Sequence, residues 1–235
     1  MKVRLMLTCL CDAFYGEVGI AAVRLLEATG CEVEFDDRQT CCGQPPFNAG
    51  DWNASRSVAE HALAVLGPAE APIVTPSGSC AAMIREGYRM LWPDRNLPAC
   101  YEVGEFLVDK LQIEGFKSKA VNERRKVAFH RACHGRSLGL KMQQETLLNS
   151  MPGIELVAFD QAEQCCGFGG AFSATHGKLS SGIGLEKLKQ IEQSGATIIT
   201  SGDMGCLMHL QGLIDRQSLN LQTRHYLELI AEEME

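Results

Sequence analysis

Two short stretches carry the chemistry of this sequence. QTCCGQPPFNAG, residues 39–50, and QCCGFGGAF, residues 164–172, each place two adjacent cysteines before a glycine. Neighbouring side chains point to opposite faces of a strand and diverge by about 100 degrees on a helix, so neither lets two adjacent thiols share one small ligand. An irregular loop does, and Gly43 and Gly167 permit the positive φ or close backbone approach that such a turn needs. Pro45 and Pro46 stiffen the first loop, whereas Gly169 and Gly170 loosen the second.

The two stretches sit in matched surroundings. Cys9 lies 32 residues before Cys41, and Cys133 lies 32 residues before Cys165. Downstream, Cys80 follows Cys42 by 38 residues and Cys206 follows Cys166 by 40. Each half thus reads Cys, Cys-Cys-Gly, Cys, as an internal duplication would produce. Four thiols per half is the ligand count of a metal site or cluster. Structural zinc accepts four cysteines but usually presents paired Cys-x-x-Cys knuckles, and neither half contains one. A dithiol exchanger would want Cys-x-x-Cys at a helix N-terminus. Iron–sulfur clusters take four thiolates at wide spacings, so two matched sets point to two clusters, with zinc, dithiol exchange and plain buried cysteines as the other readings.

Secondary-structure signals say how these thiols are positioned. Apolar, β-prone runs at 3–8 and 126–130 stop just before the first cysteine of each half, and those at 71–77 and 196–203 stop before the last. Middle strands are read at 30–35 and 153–159. Helical patterns fill 16–29, 53–66 and 79–91, then 139–150, 173–194 and 204–215. Strands alternating with helices predict an α/β fold of two duplicated parallel-sheet modules, 1–118 and 119–235, with helices on the sheet faces. The loops after parallel strands emerge along one edge, which gathers Cys9, Cys41, Cys42 and Cys80 in one module and Cys133, Cys165, Cys166 and Cys206 in the other.

Composition excludes several function classes. A net charge of -7 and no dense Lys/Arg face argue against nucleic-acid binding. Arg4 and Asp12 interrupt the apolar N-terminus, no cleavage site follows, and no run of 18 apolar residues occurs, so a cytoplasmic protein without a membrane span is expected. Eleven cysteines in a reducing compartment favour metal or redox work over disulfides. Cys11, Cys31 and Cys100 fall outside the duplicated frame; Cys31 and Cys100 read as small core residues. No glycine-rich loop has the spacing or place of a dinucleotide or phosphate site, so no flavin or nicotinamide site is expected.

Four of the six histidines, His130, His134, His176 and His209, lie near the second cysteine set, and only His61 lies in the first half. They suggest a more polar or proton-coupled second site, through hydrogen bonds to cluster sulfurs or through imidazole ligation. Arg131 and Arg136 read either as counter-charges to a thiolate-bound cluster, as holders of a substrate carboxylate, or as surface arginines.

TCLCDAFYGEVGIAAVRLLEATGCEVEF, QTCCGQPPFNAG, PSGSCAAMIR, FHRACHGRSLG, QCCGFGGAF and GDMGCLMHLQG together closely resemble the lactate-utilisation protein A family, over essentially the whole chain. More distantly the pattern is similar to the Cys-Cys-Gly domains of heterodisulfide reductase and of the glycolate oxidase iron–sulfur subunit. The resemblance implies an iron–sulfur electron-transfer subunit of a complex that oxidises L-lactate to pyruvate, with a ferredoxin-like iron–sulfur subunit and a third small subunit as partners. It implies two [4Fe-4S] clusters, cubane or non-cubane. The distant relatives end their ligand set in Cys-x-x-Cys; here Ser77 and Asp203 stand three residues before Cys80 and Cys206, as oxygen ligands or hydrogen-bond partners. The alternatives are a stand-alone oxidoreductase acting on a disulfide or quinone, and a zinc-stabilised assembly subunit.

Overall fold

The computed structural model describes residues 1–67 and 71–235. The chain forms two compact units, Met1–Leu111 and Gln112–Glu235. Each is built on a four-stranded parallel sheet with the same strand order.

In the first unit the strands are β1 (Lys2–Leu5), β2 (Glu32–Glu34), β3 (Ile73–Thr75) and β4 (Cys100–Glu102), in the order β2-β1-β3-β4. In the second they are β5 (Arg125–Phe129), β6 (Ile154–Val157), β7 (Ile198–Ser201) and β8 (Gln222–His225), in the order β6-β5-β7-β8. Every pairing within these sheets is parallel. The central strands β3 and β7 are buried along their whole length, as expected when helices cover both faces. Val3, Leu5, Ile73 and Val74 form the centre of one core, and Val127, Ala128, Ile198 and Ile199 that of the other.

The fourth strand of each sheet is not among the segments predicted from the sequence. β4 is only Cys-Tyr-Glu and β8 is Gln-Thr-Arg-His, each paired on one side to β3 or β7. Their last residues, Glu102 and His225, serve as N-caps with Glu105 and Glu228 completing capping boxes. The polar residue required to start the next helix thus breaks the β-prone pattern.

The helices follow the predicted pattern with breaks at left-handed or irregular residues. The 79–91 segment runs as Gly78–Ala82, a π-turn over Met83–Gly87 and Tyr88–Leu91. The 139–150 prediction narrows to Gln143–Asn149, because Gly139 has φ 84 and closes the preceding short helix, Cys133–Ser137. The 173–194 prediction divides into Ala171–Thr175 and Gly177–Gln193. No helix among the described residues is long and apolar enough to cross a membrane.

Candidate metal centre

The cysteines stand where the strands end. Cys9 opens the helix Cys9–Phe14 after β1, and Cys133 opens Cys133–Ser137 after β5. Cys80 lies in the first turn of the helix after β3, and Cys206 in the first turn of Met204–Gln217 after β7. Both Cys-Cys-Gly segments are irregular, with Gly43 at φ 84 and Gly167 at φ 91, a region that L side chains rarely adopt.

In the first unit the four thiols form a connected series. Cys9 Sγ is 3.7 Å from Cys41 Sγ, and Cys42 is hydrogen-bonded to both Cys41 and Cys80. Cys42 and Cys80 are buried, Cys41 is half-buried and Cys9 is exposed, so the series runs from core to surface. The Gly43 amide donates to Cys41 Sγ at 3.4 Å. The Cys41 thiol is pulled far below its ordinary range by its hydrogen bond from Cys42 and then by that from Cys9. The same bonds push Cys9 and Cys42 up. Ser77 Oγ accepts from the Cys80 amide at 3.3 Å and caps that helix, and Tyr88 Oη donates to the Cys42 carbonyl at 3.0 Å.

The second unit repeats the core of this arrangement. Cys166 Sγ and Cys206 Sγ are 2.9 Å apart, and Cys165 is hydrogen-bonded to Cys166. The amides of Gly167 and Phe168 donate to Cys165 Sγ at 3.3 Å and to Cys166 Sγ at 3.5 Å. A hydrogen bond from Cys166 pulls the Cys206 thiol down, yet burial and then Asp203 push it up overall. Cys133 is exposed and its Sγ lies 3.8 Å from His134 Nδ1; it acts on Cys206 electrostatically.

Two buried residues join the second set. His130 sits at the end of β5, 1 % exposed, with a ring nitrogen and the sulfurs of Cys166 and Cys206 all within 4.8 Å of one another. Lys187 is fully buried; its Nζ donates to the carbonyls of Gln161 and Ala162 at 3.2 Å each and lies 5.2 Å from the centre of the Phe159 ring. Burial brings the Lys187 ammonium down to about 8, against the raising effect of Cys166, Cys206 and Cys165. The sequence pattern groups His130 with three other histidines and does not single out Lys187. The usable signal for Lys187 is a lysine in helical register with the small or apolar residues Gly184, Leu188 and Ile191, which form the buried stripe of its helix.

The other candidates have local tasks. Arg131 pairs with Glu145 at 2.8 Å and Arg136 with Glu163 at 3.4 Å. His209 Nε2 is 3.4 Å from Ser180 Oγ, and His176 stacks on Phe172. Cys11, Cys31 and Cys100 are buried.

The donor set fits a thiophilic metal or an iron–sulfur group. Soft thiolates dominate, main-chain amides point at sulfur, and a buried imidazole faces two of the thiols. A cysteine-rich domain model matches twice, at residues 3–85 and 127–211, one copy per duplicated frame. Lactate utilization protein A of Geobacillus sp. (strain WCH70) is 38% identical, with 98% of this chain and 99% of the relative covered. The chain belongs to the lactate utilization protein A family. The family member from Halalkalibacterium halodurans is also 38% identical, over 98% of this chain and 96% of its own. Lactate utilization protein A 2 of Bacillus cereus (strain Q1) is 36% identical, over 99% and 98%. Among solved structures, a hypothetical protein from Helicobacter pylori shares the fold, with TM-score 0.60 at 10% identity. This chain is covered over 99% of its length and spans about half, 49%, of that one.

Proposed function

We propose that this chain is the iron–sulfur electron-transfer subunit of a system that oxidises L-lactate to pyruvate, working with a ferredoxin-like iron–sulfur subunit and a third small subunit. The observation that carries the reading is the doubled thiol network: Cys9, Cys41, Cys42 and Cys80 in one unit, Cys165, Cys166 and Cys206 with Cys133 nearby in the other. Each of the two duplicated modules holds one centre. The family name of its relatives supplies the lactate system.

When bound, an iron–sulfur cluster supplies one-electron storage that thiols and imidazoles lack. The chain's own residues prepare for it. The Cys-Cys-Gly loops, turned by Gly43 and Gly167, leave the regular geometry that would send adjacent side chains apart. Amide donors at Gly43, Gly167 and Phe168 stabilise negative charge on sulfur, and Lys187 places a buried positive charge beside the second set. Cys9, Cys133 and Cys165 lie at the surface, which gives electrons a short path to a docked partner.

The test is made on the complex co-purified anaerobically. Adding L-lactate should bleach the visible absorbance of this chain within the complex and leave the isolated, iron-loaded chain unchanged. Lactate turnover by the isolated chain, or an iron-free chain holding stoichiometric zinc, would contradict the proposal.

A further inference from the structure

The two modules match in register, because equivalent main-chain bonds recur. Met6 N donates to the Val74 carbonyl at 2.9 Å, and His130 N to the Thr200 carbonyl at 2.8 Å. The helices beneath the Cys-Cys-Gly loops match as well. A Cβ built on Gly43 meets the Ser55 carbonyl and the Ala59 amide; one built on Gly167 meets the Ser180 carbonyl and the Gly184 amide. Three residues further on, Ala62 of the first module corresponds to Lys187 of the second. Two buried, non-polar positions of module one, Met6 and Ala62, are therefore His130 and Lys187 in module two.

We propose that His130 is a metal ligand of the second module, so that its centre is held by an imidazole nitrogen together with the thiolates of Cys166 and Cys206, while the first centre is held by sulfur alone. Buried polar side chains are nearly always hydrogen-bonded, and an imidazole has two nitrogens to satisfy. His130 is 1 % exposed, and neither Nδ1 nor Nε2 has a hydrogen-bond partner. The group faces two sulfurs within 4.8 Å, the spacing of donors around a shared metal. The Ala162 carbonyl, which receives Lys187 Nζ at 3.2 Å, also acts on the ring without completing a hydrogen bond to either nitrogen. Metal-bound histidines commonly turn their second nitrogen to such a carbonyl. The proposal rests on the iron–sulfur reading for the identity of the metal.

A chemical asymmetry follows. An imidazole brings no negative charge where a thiolate would bring one, and Lys187 adds a positive charge, so reduction of the second centre is the easier of the two. The second centre is then the one of higher potential.

The experiment uses the full chain, purified anaerobically with 15N-labelled histidine, and measures iron content, pulsed EPR of the reduced protein and the midpoint potentials of both centres. The unaltered chain should show a strong histidine-nitrogen coupling on one of two centres. His130→Met, which installs the residue of the first module, and His130→Cys should both abolish that coupling and leave the other centre's spectrum unchanged. His130→Cys should retain its iron and lower the midpoint of the second centre. An iron-loaded chain without histidine coupling overturns the ligand assignment alone, as does a coupling that survives in both variants. A chain without iron overturns the iron–sulfur reading and this inference together. Because the coupling is read first in the unaltered chain, a variant that does not fold leaves the decision intact.

Discussion

Lys187→Met offers a test in which the magnitude follows from the structure. Lys187 has no exposed surface, its Nζ rests on two carbonyls, and burial brings its ammonium from 10.5 down to about 8. The folded, metal-free chain therefore binds this proton more weakly than the unfolded chain does. Between pH 8 and 10.5 the unfolded chain carries more protons, so folded stability rises with pH through that window and falls as pH drops back through 8. At 1.36 kcal/mol per unit, the full span is worth about 3 kcal/mol. Urea unfolding of the metal-free chain under reducing, anaerobic conditions, from pH 7 to 11, should show this rise, and the difference from Lys187→Met should isolate it, since the thiols titrate in both proteins. Loading the centre should collapse the difference, because a thiolate-bound cluster holds the ammonium charged throughout. A difference curve that is flat from pH 8 to 10.5 in the metal-free chain would refute the assignment of Lys187 as a buried charge awaiting a counter-charge.

Other perturbations separate ligand loops from core. Gly167→Ala puts a Cβ at φ 91 and against the Ser180 carbonyl, so it should cost more than ~2 kcal/mol in thermal unfolding and lower iron retention in the second module only. Cys100→Ala removes a buried sulfur from β4 and should cost about 1–2 kcal/mol while leaving iron content unchanged; lost iron would place Cys100 among the ligands. Ser77→Ala removes the cap on the Cys80 helix and should cost about 1 kcal/mol with iron retained, whereas loss of the first centre would make Ser77 a ligand.

Much of the site was legible because duplication repeats its signal. Equal spacings from Cys9 to Cys41 and from Cys133 to Cys165, with apolar runs ending just before each outer cysteine, suffice to place the thiols at strand ends. β4 and β8 were not legible, because a three- or four-residue edge strand ending in a capping Glu102 or His225 has neither length nor alternation. Gly139 reads as a loop residue or as a helical one until its φ is known. Lys187 was hidden for a different reason: a lysine on a helix normally lies in solvent, and only packing against Phe159 and the 161–162 carbonyls removes it from water. His130 stood out by type, but its separation from His134, His176 and His209 depends on burial and on the two sulfurs it faces.

The central claim, one iron–sulfur centre per module, is tested most directly by iron and acid-labile sulfide content of the anaerobically purified chain beside Cys41→Ser and Cys165→Ser. The account predicts that each replacement removes about half of the iron and sulfide, roughly four of each, and leaves the other module's EPR signal intact. Stoichiometric zinc without sulfide, or one replacement that removes all the iron while the other removes none, would contradict it.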